Sequence, residues 1–197
     1  MSTSFMTRDE LLSIGFARVG EGVRASRLTR FYNPAGIYIG DRTRIDDFCI
    51  LSAGDGGICI GRNVHIASYT SVQGKARVFI GDFAGLSSRV AVYSSNDDYS
   101  GEFMSNPTVD PKYTNIHSEE VYIGKHVIVG AGSIILPGSV LEEGVAVGAL
   151  SLVKGRLEPF GIYAGVPAKF IKPRSRRLLV LEQQFLEDLE RLGNAEG

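Results

Sequence analysis

Three histidines give this chain of 197 residues its side chains that ordinarily titrate near neutrality, and their surroundings differ. His65 lies in Val64-His-Ile66, His126 in Lys125-His-Val127, and His117 in a polar stretch. A second cluster, Asn96-Asp97-Asp98-Tyr99 with Glu102 just beyond, puts an acidic pair beside an aromatic ring. Groups of both kinds can take a proton from an amine or hydroxyl as it becomes a nucleophile, and a base near neutrality does so best. Each also has an inert explanation, as a solvated surface histidine or an acidic turn. Two cysteines and three scattered histidines have no metal-ligand spacing, so no metal site is expected. Cys49 and Cys59 read as buried, reduced thiols rather than a disulfide framework.

What must position these residues is a beat of six. Ile39, Ile60, Ile80, Ile123 and Leu141 are separated by steps of 21, 20, 43 and 18 residues. Ile45, Ile66, Leu86, Val129 and Val147 repeat those steps, and so do Leu51, Val72, Val92, Ile135 and Val153. A helical repeat needs about 33 residues, so this period instead predicts one short strand per hexad and three strands per coil of a parallel β-helix. The long step marks one excursion, over residues 98–122. Thr43, Cys49, Val64, Thr70, Ala84, Val90, Val127, Ser133, Val145 and Ser151 fill the fifth hexad position and should point inward. Glycine after the aliphatic residue suits a corner where a side chain would crowd or φ is positive. His65, sixth in its hexad, should point outward, opposite Gly85 on the next coil; His126 is fourth in its hexad, and His117 falls in the excursion.

Residues 1–38 read as a helix over 7–14, opened by the capping box Thr7-Arg-Asp-Glu10, and a segment capping the solenoid. Residues 39–173 are the β-helix, and residues 174–197 an amphipathic helix with Leu178, Leu181, Phe185, Leu189 and Leu192 on one side, followed by a tail. The helix could pack on its own coil or on a neighbouring subunit. A net charge of −1 gives no footprint for nucleic acid or a charged membrane surface. No apolar run is long enough to span a bilayer, and the polar, early-acidic start is unlike a signal peptide, so a cytoplasmic protein is expected.

The hexads, with Ile135-Leu-Pro-Gly138 and Ala164-Gly-Val-Pro-Ala-Lys169, resemble the left-handed β-helix acyltransferases of the hexapeptide-repeat family over most of the chain. The segments Arg44-Ile-Asp-Asp-Phe-Cys49, Val64-His-Ile66, Ser95-Asn-Asp-Asp-Tyr-Ser-Gly-Glu102 and Lys125-His-Val127 are similar to the branch that acetylates sugars for bacterial surface polysaccharides. Within that branch the resemblance is to N-acetyltransferases acting on dTDP-4-amino-4,6-dideoxyglucose, and also to galactoside O-acetyltransferases. It implies acetyl-CoA as co-substrate, no metal, a homotrimer, and active sites between subunits. A non-catalytic hexapeptide scaffold and a metalloenzyme on the same fold are the readings from other classes.

Under the resemblance, His65, His126 and Asp97 are the catalytic candidates. Asn96, Asp98, Tyr99 and Glu102 are candidates for the acceptor pocket, with Asn106 and Tyr113 behind them, and His117 is the weakest of the three histidines as a base. The galactoside and maltose enzymes carry a catalytic histidine where this chain reads Ser94-Ser-Asn-Asp-Asp-Tyr99, so their base cannot be transferred. Gly130, Ala131, Gly148 and Ala149 would let a pantetheine arm approach the backbone, and Lys154, Lys169 and Lys172 would meet the phosphates of CoA, with Arg174 nearby.

Overall fold

The computed structural model describes residues 4–195, and side chains through residue 191. Three parallel ladders make a triangular coil. The first face stacks Arg18–Val19, Ile37–Ile39, Ile58–Ile60, Val78–Ile80, Val121–Ile123, Val140–Leu141 and Arg156–Leu157. The second runs from Arg24–Ala25 through His65–Ile66, Gly85–Leu86 and Ile128–Val129 to Gly161–Ala164. The third runs from Arg30–Tyr32 through Ile50–Ala53, Ser71–Gly74, Ala91–Tyr93 and Ile134–Ile135 to Leu152–Val153. The aliphatic rungs stand in the register that the hexads required: Ile80 opposite Ile123, Leu86 opposite Val129, Val92 opposite Ile135. The coils begin earlier than that count suggested. Val19, Ala25 and Phe31 stand opposite Ile39, Ile45 and Leu51, so residues 16–38 add a coil of their own.

Beyond the first coil, where Val19 and Phe31 are partly buried, the rungs are buried, among them Ile39, Ile45, Leu51, Ile66, Ile80 and Ile135. Each is worth about 1.5–3 kcal/mol over exposure. Inward hydroxyls close the corners from within: Thr43 Oγ1 donates to the Gly61 carbonyl at 2.8 Å, Thr70 Oγ1 to Ser87 at 3.0 Å, and Ser133 Oγ to Gly148 at 3.0 Å. Cys49 shares this inner row, and burial pushes its thiol up to about 11. Cys59 departs from expectation, since it points outward from the first face and is half-buried. The corner glycines are explained by crowding. A Cβ on Gly40 would sit 2.5 Å from the Gly61 backbone, whereas the left-handed corner positions belong to Arg42, Asn63, Phe83 and His126.

Both ends are covered. At the start, α1 (Arg8–Ser13) has its capping box closed between Thr7 and Glu10 and buries Leu11 against the first coil. At the other end, Lys169–Pro173 turns back antiparallel on Gly161–Ala164 and leads into α2 (Arg177–Ala195), which starts three residues later than expected. The side chain of Leu192, placed by the sequence on the apolar side of this helix, lies outside the described residues, as do residues 1–3 and 196–197. The excursion leaves from a two-stranded stem, Ser95–Asn96 antiparallel to His117–Ser118, so it opens a few residues sooner than the hexad arithmetic placed it. No helix among the described residues is long and apolar enough to cross a membrane.

Candidate active site

His65 projects from the second face with its side chain half-exposed. Its Nε2 lies 2.8 Å from Asp46 Oδ2, and Arg44 Nε donates to the other oxygen of the same carboxylate at 2.6 Å. Burial opposes ionisation of Asp46, but the hydrogen bonds from His65 and Arg44 outweigh it and hold the carboxyl below its usual range. With Nε2 engaged by a carboxylate, Nδ1 is the nitrogen left to accept a proton. A cleft of about 330 Å³ opens beside the ring, lined by His65, Ala67, Gly85, Ser87, Ser88 and Ile128.

Asp97 belongs to a different corner. It lines a cleft of about 490 Å³ between the third face and the root of the excursion, with Ser52, Gln73, Lys75, Tyr93 and Asn96. Its Oδ2 accepts from the Asn106 amide at 3.3 Å, and Asn96 Nδ2 donates to its carbonyl at 2.8 Å. Asp98 instead closes a turn: its Oδ2 accepts from Ser100 Oγ at 2.8 Å and from the Gly101 amide, and the Ser100 hydrogen bond lowers its pKa. Tyr99 is 89% exposed and Glu102 is exposed, so neither lines this cleft within one chain. His117 sits in the exposed stem, 3.5 Å from Glu119.

His126 is placed apart from both clefts. Its ring stacks on Phe83 at 5.1 Å, and its Nε2 lies 2.8 Å from Glu182 Oε2 on α2, where both side chains are about nine-tenths buried. Lys125 Nζ holds the other oxygen of Glu182 at 2.7 Å. Burial raises the Glu182 pKa, but the hydrogen bonds from Lys125 and His126 bring it below normal. Arg174 completes this junction, its Nη1 donating to the carbonyls of His126 at 2.8 Å and Gly144 at 3.1 Å, so it is committed to the fold rather than free for phosphate.

Gly130, Ala131, Gly148 and Ala149 do come together, with the Leu150 amide bonded to the Ala131 carbonyl. The close stacking of coils already requires these glycines, because a Cβ on Gly130 would lie 2.4 Å from the Ala149 nitrogen. Lys169 and Lys172 are exposed on the strand paired with Gly161–Ala164, while Lys154 is exposed past the third face, at the next corner. Ser87 and Ser88 are residues that the sequence did not single out, and Arg44 and Asp46 stood there only within a motif, with no role of their own. Asp46 lies beside the in-register pair Arg44 and His65, and the serines follow Gly85-Leu86 around the corner.

The three ladders, the single excursion and the clefts at two corners make a parallel β-solenoid, a fold that does not by itself fix an activity, and the comparisons supply the class. The chain is 53% identical over 182 residues, 92% of its length and 95% of the relative's, to a dTDP-4-amino-4,6-dideoxy-D-glucose acyltransferase of Escherichia coli. It is 32% identical, over 85% of its length and 86% of the relative's, to a putative lipopolysaccharide biosynthesis O-acetyl transferase of the same species. The structure of AntD, an N-acyltransferase from Bacillus cereus in complex with dTDP and 3-hydroxybutyryl-CoA, superposes with a TM-score of 0.92 at 45% identity, covering 96% of this chain and all of that one. AntD has also been solved with dTDP-4-amino-4,6-dideoxyglucose and coenzyme A. No family model matches the chain. At this identity and coverage, the chain belongs to the hexapeptide-repeat acyltransferases.

Proposed function

We propose that the protein transfers an acyl group, acetyl in the simplest case, from its CoA thioester to the amine of a dTDP-linked 4-amino-4,6-dideoxy sugar, in the cytoplasm, for surface polysaccharide synthesis. The observation that carries this reading is the full-length similarity to AntD, whose complexes hold both a dTDP-amino sugar and CoA. The reaction forms the amide C–N bond and breaks the thioester C–S bond; the amine loses a proton, and the CoA thiolate gains one. A neutral amine is already nucleophilic, so the protein's tasks are alignment, stabilisation of the oxyanion and late proton removal.

The division into two half-clefts supports a site shared between copies of the chain. His65, Ser87 and Ser88 face one corner, and Asp97 and Asn96 face another. A cyclic trimer would set one half against the other at each of its boundaries. AntD was solved as variants of one serine and one aspartate, the residue types that face the two halves here. Gly130, Ala131, Gly148 and Ala149 would flank the pantetheine arm, with Lys169 and Lys172 nearby for phosphate.

The test is thiol release by purified protein given acetyl-CoA and either dTDP-4-amino-4,6-dideoxyglucose or a simple galactoside. Release with the amino sugar is expected. Release with the galactoside alone would move the protein to sugar O-acetylation, and no CoA binding by calorimetry would leave a scaffold.

A further inference from the structure

Among the glycines of the coils, Gly85 alone is unexplained by the fold. The others either have positive φ or would drive a Cβ into a neighbouring atom within 3.2 Å. Gly85 has neither constraint: it is an ordinary strand residue on the outer side of the second face, and a Cβ there would meet nothing within 4 Å. Glycine in a strand gives up stability relative to alanine, so its presence here is not a packing choice. Its effect is spatial. His65 stands in register on one side of it and Ile128 on the other, and the missing side chain leaves a notch between them in the 330 Å³ cleft.

We infer that this notch receives the acyl chain of the thioester donor, and that Gly85 sets how long a chain the enzyme accepts. This rests on the acyl-transfer reading above. The notch is walled by Ala67, Ile128 and the Gly85 backbone, with His65, Ser87 and Ser88 at its polar edge. That lining suits an apolar chain ending at a reacting carbonyl rather than a diphosphate or a hydroxyl-rich sugar. Ile128 lies on the strand that runs straight into Gly130 and Ala131, so the notch adjoins the small residues placed above beside the pantetheine arm. A side chain at position 85 would enter this space, which is open around the Gly85 backbone, and so shorten the acyl chain that fits between His65 and Ile128.

The experiment compares wild type, Gly85→Ala and Gly85→Val with acetyl-CoA, butyryl-CoA and 3-hydroxybutyryl-CoA, dTDP-4-amino-4,6-dideoxyglucose being the acceptor. Wild type should use four-carbon donors, and Gly85→Val should lose at least about tenfold more kcat/KM with them than with acetyl-CoA, the usual scale for excluding methylene groups from a pocket. Thermal midpoint should hold or rise, with native mass unchanged. Equal losses with all donors, no loss at all, or a loss accompanied by a change in native mass would overturn the assignment; the last would mean that Gly85 makes room for another copy of the chain. Calorimetry of each acyl-CoA with wild type and variant runs beside the assay. If wild type shows no turnover on the amino sugar, the acceptor reading fails while chain-length selectivity in binding still decides the notch.

Discussion

At the scale of single residues, the pairing of His65 with Asp46 is the most consequential contact outside the core. A histidine held at Nε2 by a carboxylate keeps one tautomer and one orientation, which a base acting late on an amine needs. His65→Ala is expected to lower kcat by about 10²-fold with KM moved far less, and turnover near wild type would exclude the histidine as base. Asp46 has a depressed pKa in the folded protein. Its stabilisation is therefore complete above the unfolded carboxylate range and is lost as pH falls through the folded value. Asp46→Asn should cost about 1 kcal/mol at pH 7 and progressively less in acid, measured by urea midpoints across that range. The outward direction of His65 and the gap at Gly85 were legible from hexad position. The role of Asp46 was not, because a count of six ranks rungs and says nothing of which outward neighbours on adjacent coils will pair.

Among the elements, α2 shows where periodicity stops being informative. His126 matched the pattern of a candidate base, yet its ring is held by Glu182, 56 residues away on a helix whose docking corner no repeat encodes. Lys125, His126, Arg174 and Phe83 form the seat for that helix, with Phe185 meeting the Phe83 ring edge-on at 6.1 Å. Glu182→Gln should speed amide hydrogen exchange along α2, since local opening follows the loss of buried contacts, while kcat changes by less than about threefold. A hundredfold loss of kcat in His126→Ala would return that histidine to the chemistry. The first coil was hidden for a different reason. Val19, Ala25 and Phe31 keep the spacing of six, but Ala and Phe at two of the rungs, and the short turn Pro34–Gly36 before Ile37–Ile39, break the aliphatic pattern that reveals later coils. Similarly, the paired stem of the excursion is antiparallel, so a count built on parallel hexads placed its opening too late.

For the whole molecule, the two separated half-clefts make a prediction that no single-chain site would share. If each active site takes His65 from one copy and Asp97 from the next, inactive His65→Ala and Asp97→Ala proteins, unfolded and refolded together, should recover about a quarter of wild-type activity, because a random boundary between copies then has about that chance of two intact halves. No recovery, with a native mass of one chain by light scattering, would put the site within a single subunit. The excursion adds a consequence of another kind. The coil is in unbroken register across it, Val78 opposite Val121 and Ile80 opposite Ile123, and the stem is satisfied by its own pairing. Lengthening or shortening what lies beyond the stem changes the closure cost by only about 0.6 kcal/mol per doubling. The segment from Asp98 to Ile116, beyond Asp97, is thus a cassette that can diverge, or be exchanged between relatives, without renegotiating the core. One solenoid can in this way carry excursions of very different length and sequence on the same three ladders.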